Sequence, residues 1–246
     1  MDSNPRSARR DANRAPPVRA ILFDLDGTLI DTETQTDAAI QVIAARHGID
    51  GYSLPHGETR GRTWAHVAKT LRAQTGIRAS ESDLATAMLE YWTEAVKQAS
   101  GIPGAAQAIR TASVIGLRIA VVSSSPRSVI HYFVDKLGIG DCVGDAARIG
   151  ADSVRQGKPD PEGFLLAART LGAEPATSLV FEDSQAGLLA ARAAGMRSMF
   201  ITCCAAEIAE NRKLATAAFT DYEALPPGFW ADIATGTADL AASSFA

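Results

Sequence analysis

The chain has 246 residues, enough for one large domain or for a domain with a smaller companion. A hydrophobic share of 46% permits a sizeable core, and a formal net charge of -4 gives no reason to expect nucleic acid or an anionic membrane as partner. The three cysteines, Cys142, Cys203 and Cys204, have neither the even count of a disulfide framework nor zinc-ligand spacing, and they read as ordinary thiols of a reducing cytoplasm. No apolar run approaches the ~20 residues that a membrane helix requires.

Residues 1–18 are rich in Arg, Pro and Ala without periodicity and are expected to form a flexible tail. Arg9-Arg10 is followed by no signal-like apolar segment with a small-residue cleavage site. The first structured element is then the apolar run Ile21-Leu22-Phe23, which ends in "DLDGT". Two acids, Asp24 and Asp26, stand at the tip of a strand that reads as buried. Charge so close to a core costs free energy unless a metal ion, a cationic side chain or solvent offsets it.

Residues 31–102 contain no convincing strand and at least three helical stretches. Two of them are "AAIQVIAARHGI" and "TWAHVAKTLRAQTG". The third starts at Ser80 with Asp83 in a capping-box-like pattern, with Leu84, Met88, Tyr91 and Ala95 on one face. "GIPGA" at 101–105 marks the return to the main domain. Further apolar runs, 119–122, 179–181 and 199–201, alternate with amphipathic segments. After Val122, Ser125 reads as an N-cap and Pro126 as the first helical position, with Val129, Phe133 and Leu137 at helical spacing and Gly138 as the stop. Strands apolar along their whole length and alternating with helices predict a parallel sheet covered on both faces. The expected fold is therefore a doubly wound α/β (Rossmann-like) sheet with an inserted helical cap domain. Residues 19–30 and 103–233 form the core, 31–102 the cap, and 234–246 a loose tail. In such sheets ligands bind beyond the carboxyl ends of the strands, where Asp24, Ser123 and Glu182-Asp183 all fall.

The ordered set "DLDGT", "VVSSS", "GKPDP" and "FEDSQAG" resembles the haloacid dehalogenase superfamily, and the insertion after the first motif resembles its branch of sugar-phosphate phosphatases and β-phosphoglucomutase. The resemblance covers roughly residues 19–203. It implies that Asp24 is a nucleophile forming an aspartyl-phosphate, and that Asp26 protonates the leaving oxygen and then deprotonates water. It implies a Mg²⁺ ion held by Asp24, the backbone carbonyl of Asp26 and Asp183, with Glu182 supporting the metal directly or through water. Lys158 offsets the negative charge, and Ser123 with the backbone of Ser124 holds the phosphoryl oxygens. "GETRGRTW" is similar to the family's substrate loop, making Arg60 and Arg62 candidates for the distal part of a substrate and Trp64 a packing wall. Asp160 and Glu162 read as helix-start acids, and His47, His56, His66 and His131 as residues without a functional partner pattern. The implied function is a cytoplasmic, Mg²⁺-dependent phosphatase for a small phosphate monoester, a sugar or polyol phosphate. The alternative is a phosphomutase. Thr36 stands where the mutase carries a cap-side His, and Ser124, Ser125 and Pro126 stand where it carries a Lys, so both marks of the mutase are missing. A non-catalytic binding protein is a third reading, disfavoured because every catalytic position is filled.

Overall fold

The computed structural model describes residues 16–238 and Leu240. Among the described residues six strands form one parallel sheet: β1 (Ala20–Phe23), β2 (Arg118–Val122), β3 (Arg148–Ile149), β4 (Ser178–Glu182), β5 (Arg197–Ile201) and β6 (Ala217–Phe219). Their spatial order is β3-β2-β1-β4-β5-β6. The chain leaves β1 for β2 and β3 on one side, then crosses back to β4 on the other. The strand order therefore reverses at β1, and a crevice opens at its carboxyl end. Residue Phe23 is in register with Val121 of β2 and Phe181 of β4, so all three strands deliver their next residues to the same edge.

Alternation along the strands divides the core into two layers. Ile21, Phe23, Val121, Leu179 and Phe181 face one side, where α4 (Ala105–Val114), α5 (Arg127–Lys136) and α9 (Phe229–Thr235) pack. Leu22, Ala120, Val122 and Val180 face α6 (Glu162–Leu171) and α7 (Gln185–Ala193) on the other side. Phe181 anchors the first layer, stacked on Phe23 at 5.0 Å and on Trp230 at 5.6 Å between ring centroids. A side chain of that size, fully buried, stabilises the fold by roughly 1.5–3 kcal/mol. Val18 is buried and its N–H donates to the Ile233 carbonyl, and Ala234, Ala238 and Leu240 join the same layer. The described ends of both expected tails are thus docked rather than loose. Residues 1–15, 239 and 241–246 lie outside the described residues.

Between β1 and α4 the chain forms three longer helices: α1 (Glu33–Arg46), α2 (Trp64–Thr75) and α3 (Glu81–Ala95). Thr63 caps α2 by accepting from His66 N–H at 3.3 Å, and Ser80 caps α3 by accepting from Asp83 N–H at 3.0 Å. The three helices enclose an apolar cluster of their own, including Ile40, Ile43, Val67, Leu71, Leu84 and Met88. The face of α3 runs through Leu84 and Met88 as expected, and then through Trp92, with Tyr91 and Ala95 only half-buried. Both connections to the sheet run side by side: Asp31 N–H donates to Ser100 O, and Ile102 N–H donates to Leu29 O. This double strap fixes the helical insertion above the edge that carries Asp24. A short helix, α8 (Ile208–Asn211), follows β5. Helix α5 starts one residue later than expected, at Arg127, with Pro126 extended before it. Its first N–H is served by Asp152 Oδ1 at 3.0 Å, and the Ser125 side chain does not cap it.

Candidate active site

Strand pairing continues one residue past β1, where Asp24 N–H donates to Phe181 O at 2.9 Å and so fixes the backbone of the first acid. The chain then turns sharply. Leu25 O accepts from the N–H groups of Thr28, Leu29 and Ile30, and Gly27 sits at φ 77°. A Cβ on Gly27 would stand 2.2 Å from Asp183 Oδ2, so glycine serves both the left-handed turn and the close approach of that carboxylate.

The Lys158 ammonium, brought in by the loop before α6, bonds to both Asp24 Oδ1 and Glu182 Oε1. Burial alone opposes its charge, but the Asp24 and Glu182 carboxylates more than reverse this and hold Lys158 above the usual lysine range. The other Glu182 oxygen accepts from Asp183 N–H at 2.9 Å, Ser184 N–H at 2.8 Å and Ser184 Oγ at 2.9 Å. Asp183 is less well served. Its Oδ1 accepts from Thr28 Oγ1 at 3.1 Å, while its Oδ2 is buried with no hydrogen-bond partner among the described residues. Burial pushes both Asp24 and Asp183 well above the usual carboxylate range; Lys158 opposes the rise, and Glu182 reinforces it.

Asp24, Glu182 and Asp183 each bring a carboxylate oxygen within 4.8 Å of the others, an arrangement able to hold a metal ion. The donor set fits a hard divalent cation. All three are oxygens, three acids face one ammonium, and the orphaned Asp183 Oδ2 has the partner requirement that a cation meets. Glu182 has both oxygens committed to Lys158 and to the turn into α7, so it orients the cluster. The Asp26 backbone carbonyl accepts no backbone hydrogen bond among the described residues.

The Asp26 side chain points away from this cluster. Its Oδ2 accepts from Ser123 Oγ at 2.9 Å and Ser125 Oγ at 2.8 Å, and its Oδ1 from Thr32 Oγ1 at 3.2 Å. Burial raises its pKa above the ordinary value, against the pull of the three hydroxyls. Ser125, read from sequence as a helix cap, is therefore a site residue. The hydroxyl of Ser123, which the resemblance directs at a phosphoryl oxygen, is turned to Asp26 here. Ser124 Oγ instead donates to Gly61 O at 2.7 Å and ties the insertion to the core.

The opposite wall of the cleft comes from the insertion. Arg60 Nε lies 2.7 Å from Glu33 Oε2, each side chain only 13% exposed, and Arg60 Nη1 donates to the Cys204 carbonyl. Arg62 Nε donates to Gly57 O at 3.3 Å. Trp64 meets Trp92 edge-on at 5.9 Å, and Trp92 Nε1 donates to Thr36 Oγ1 at 3.0 Å. Burial pushes the Glu33 carboxyl up to about 7, with Arg60 pulling the other way. Arg60, Arg62 and Trp64 share the cleft with Asp24, Asp26 and Glu33, and the free volume among them is about 30 Å³. Glu33 was missed in the sequence because an acid in a first helical turn is an ordinary feature. None of the four histidines lines the cleft around Asp24 and Asp26, although His56 lines a smaller pocket beside Arg60 and Asp183. His66 is 2.9 Å from Glu58, and His131 is 2.8 Å from an Arg148 nitrogen.

The chain is similar to known proteins over most of its length. The family model for haloacid dehalogenase-like hydrolases matches residues 18–195. The protein YhcW of Bacillus subtilis is 32% identical over 216 residues, 84% of this chain and 90% of that one. The validoxylamine A 7'-phosphate phosphatase of Streptomyces hygroscopicus subsp. limoneus is 31% identical, over 75% of this chain and 85% of its own. The crystal structure of β-phosphoglucomutase from Clostridium difficile shares the fold, with a TM-score of 0.74, 22% identity and coverage of 88% of this chain and 97% of that one. With the motif acids gathered at one sheet edge and the family model matched across most of its length, the chain belongs to the haloacid dehalogenase-like hydrolase family.

Proposed function

We propose that the protein is a Mg²⁺-dependent phosphatase that hydrolyses a small sugar or polyol phosphate through a phosphoryl group carried on Asp24. The observation that supports this best is the unequal treatment of the two acids of "DLDGT". Asp24 is held by an ammonium beside an orphaned carboxylate oxygen, whereas Asp26 is held by three hydroxyls. Asp24 and Asp183, with the Asp26 backbone carbonyl, would hold the ion, and Glu182 would orient them. Bound there, Mg²⁺ supplies positive charge against the anionic phosphate.

Each residue then has a defined task. An Asp24 oxygen attacks phosphorus as the bond to the leaving oxygen breaks. The Asp26 carboxyl, whose raised pKa favours carrying a proton, gives that proton to the leaving oxygen. A water then attacks phosphorus and loses its proton to Asp26, which releases inorganic phosphate and restores the Asp24 carboxylate. Lys158 holds Asp24 in position and screens it from Glu182. The hydroxyls of Ser123 and Ser125 steady Asp26 in both protonation states. Ser123 can turn to a phosphoryl oxygen once Asp26 is protonated and needs fewer donors.

Selection falls to the cap. About 30 Å³ holds a water or two, not a sugar phosphate, so the cap must open to admit substrate and close over it. Glu33, Arg60 and Arg62 offer hydrogen bonds to hydroxyls, and Trp64 offers an apolar wall, a lining suited to a polyhydroxylated body. Thr36 is committed to Trp92 and to the Thr32 carbonyl, and it has no ionisable group with which to serve a mutase. A sugar phosphate given with a trace of the corresponding bisphosphate should therefore yield inorganic phosphate rather than its isomer. The direct test is Asp24→Asn in a phosphate-release screen over sugar phosphates, polyol phosphates and phosphoglycolate. Turnover should fall at least about a thousandfold with the fold retained. Near-normal turnover would refute the role of Asp24.

A further inference from the structure

Two thiols at the end of β5 are not used by the chemistry above, yet they touch it at one remove. Cys203 and Cys204 lie one residue beyond β5, after Thr202, and their sulfurs lie 3.6 Å apart. Cys203 is exposed and Cys204 is half-buried. The backbone of Cys203 is pinned, its N–H donating to Thr220 O at 3.0 Å. The carbonyl of Cys204 accepts the Arg60 guanidinium from the insertion. Cys204 therefore carries both one thiol of the pair and, on the peptide that follows it, a contact between the two walls of the cleft.

We propose that Cys203 and Cys204 form a thiol–disulfide exchange site for low-molecular-weight disulfides, and that closing the pair into a disulfide releases Arg60 from the Cys204 carbonyl and loosens the loop around it. Adjacent Cα atoms are about 3.8 Å apart across a trans peptide, below the ~4.4–6.8 Å that disulfides span. The bond cannot form without moving the peptide between the two residues, and that movement reaches the carbonyl that holds Arg60. A bond closed under such constraint is readily reduced again, as reversible disulfides are.

The steps balance. The Cys203 thiolate attacks one sulfur of the small disulfide, whose S–S bond breaks and expels the first thiolate, which takes up a proton. Cys204 gives up its proton and attacks the Cys203 sulfur, expelling the second thiolate. Two protein thiols are oxidised and one small disulfide is reduced to two thiols. Cys203 suits the first attack, being exposed and having its thiol lowered by the hydrogen bond it shares with Cys204, whose own thiol is raised in turn.

The test uses the full-length Cys142→Ser protein, so that only the pair can react, incubated with oxidised glutathione. Intact mass should show two hydrogens lost, no glutathione retained and no remaining alkylatable thiol, all reversed by a reductant. Amide hydrogen exchange over residues 56–64 should rise roughly tenfold on oxidation, in proportion to the loss of one charge-assisted hydrogen bond. With Arg60→Ala added, that exchange should already be raised, and oxidation should add nothing. Cys204→Ser should retain glutathione on Cys203. Glutathione retained by the paired thiols without closure would overturn the exchange site. A closed disulfide with unchanged exchange, or an equal rise on oxidation with Arg60→Ala, would overturn the link to Arg60. None of these readouts depends on the substrate assigned above.

Discussion

The two walls of the cleft are built differently. On the sheet side, Asp24, Lys158, Glu182 and Asp183 are all buried, stand at or beside strand ends and share bonds with one another. On the insertion side, Arg60 and Arg62 sit on a loop, and each is held by a carbonyl or by one partner acid. A wall fixed by sheet hydrogen bonds keeps reacting atoms in register. A wall held by a few polar contacts across the cleft can move away and return. Chemistry should therefore depend on the first wall for every substrate, and selectivity on the second.

The sharpest way to break this contrast is through the metal cluster. Asp183→Ala removes the orphaned oxygen and should lower turnover on all substrates alike, by about a hundredfold or more, while weakening the Mg²⁺ dependence. A chelator should abolish activity and Mg²⁺ restore it. Full activity in chelator, measured by phosphate release, would remove the metal from the sheet wall.

Arg60→Ala tests the other wall and should have a smaller effect. It should raise KM for a sugar phosphate roughly tenfold, the loss of one charge-assisted contact, and leave p-nitrophenyl phosphate nearly unaffected. Equal loss on both esters would mean that the two walls do not divide the work.

The smallest expected effect concerns pH. The Glu33 carboxyl is pushed up to about 7 from an ordinary value of 4.5. A raised folded-state pKa means that the folded protein binds this proton more tightly than the unfolded chain does. Its contribution to stability therefore grows as pH falls from about 7 toward 4.5, and is lost as pH rises through about 7. Arg60 responds oppositely, because protonation takes away its anionic partner. KM for a sugar phosphate should thus rise several-fold as pH drops below about 7, with p-nitrophenyl phosphate as the control for titration of the ester itself. Glu33→Gln should flatten the difference between the two substrates.

The same contrast decides what was legible in the sequence. The sheet wall could be read because each of its acids follows a short apolar run, and strand ends are where such sheets bind ligands. Strands β3 and β6 were not seen, since runs of two and three residues carry no periodic signal. Ser125 was misread as a helix cap because a serine before a proline suits that role equally well, and only the position of Asp26 decides otherwise. The pairing of Glu33 with Arg60, and of Arg60 with the Cys204 carbonyl, joins separate elements and leaves no local pattern.

The most direct measurement is to locate the phosphoryl group itself. In Asp26→Asn, an aryl phosphate with a good leaving group needs no proton from residue 26, so attack by Asp24 can proceed, whereas water lacks its base. Rapid acid quench followed by peptide mass spectrometry should find the phosphoryl group on the peptide bearing Asp24, in near-stoichiometric amount. Turnover with no phosphorylated protein, or a phosphoryl group on Ser123, would contradict attack by Asp24.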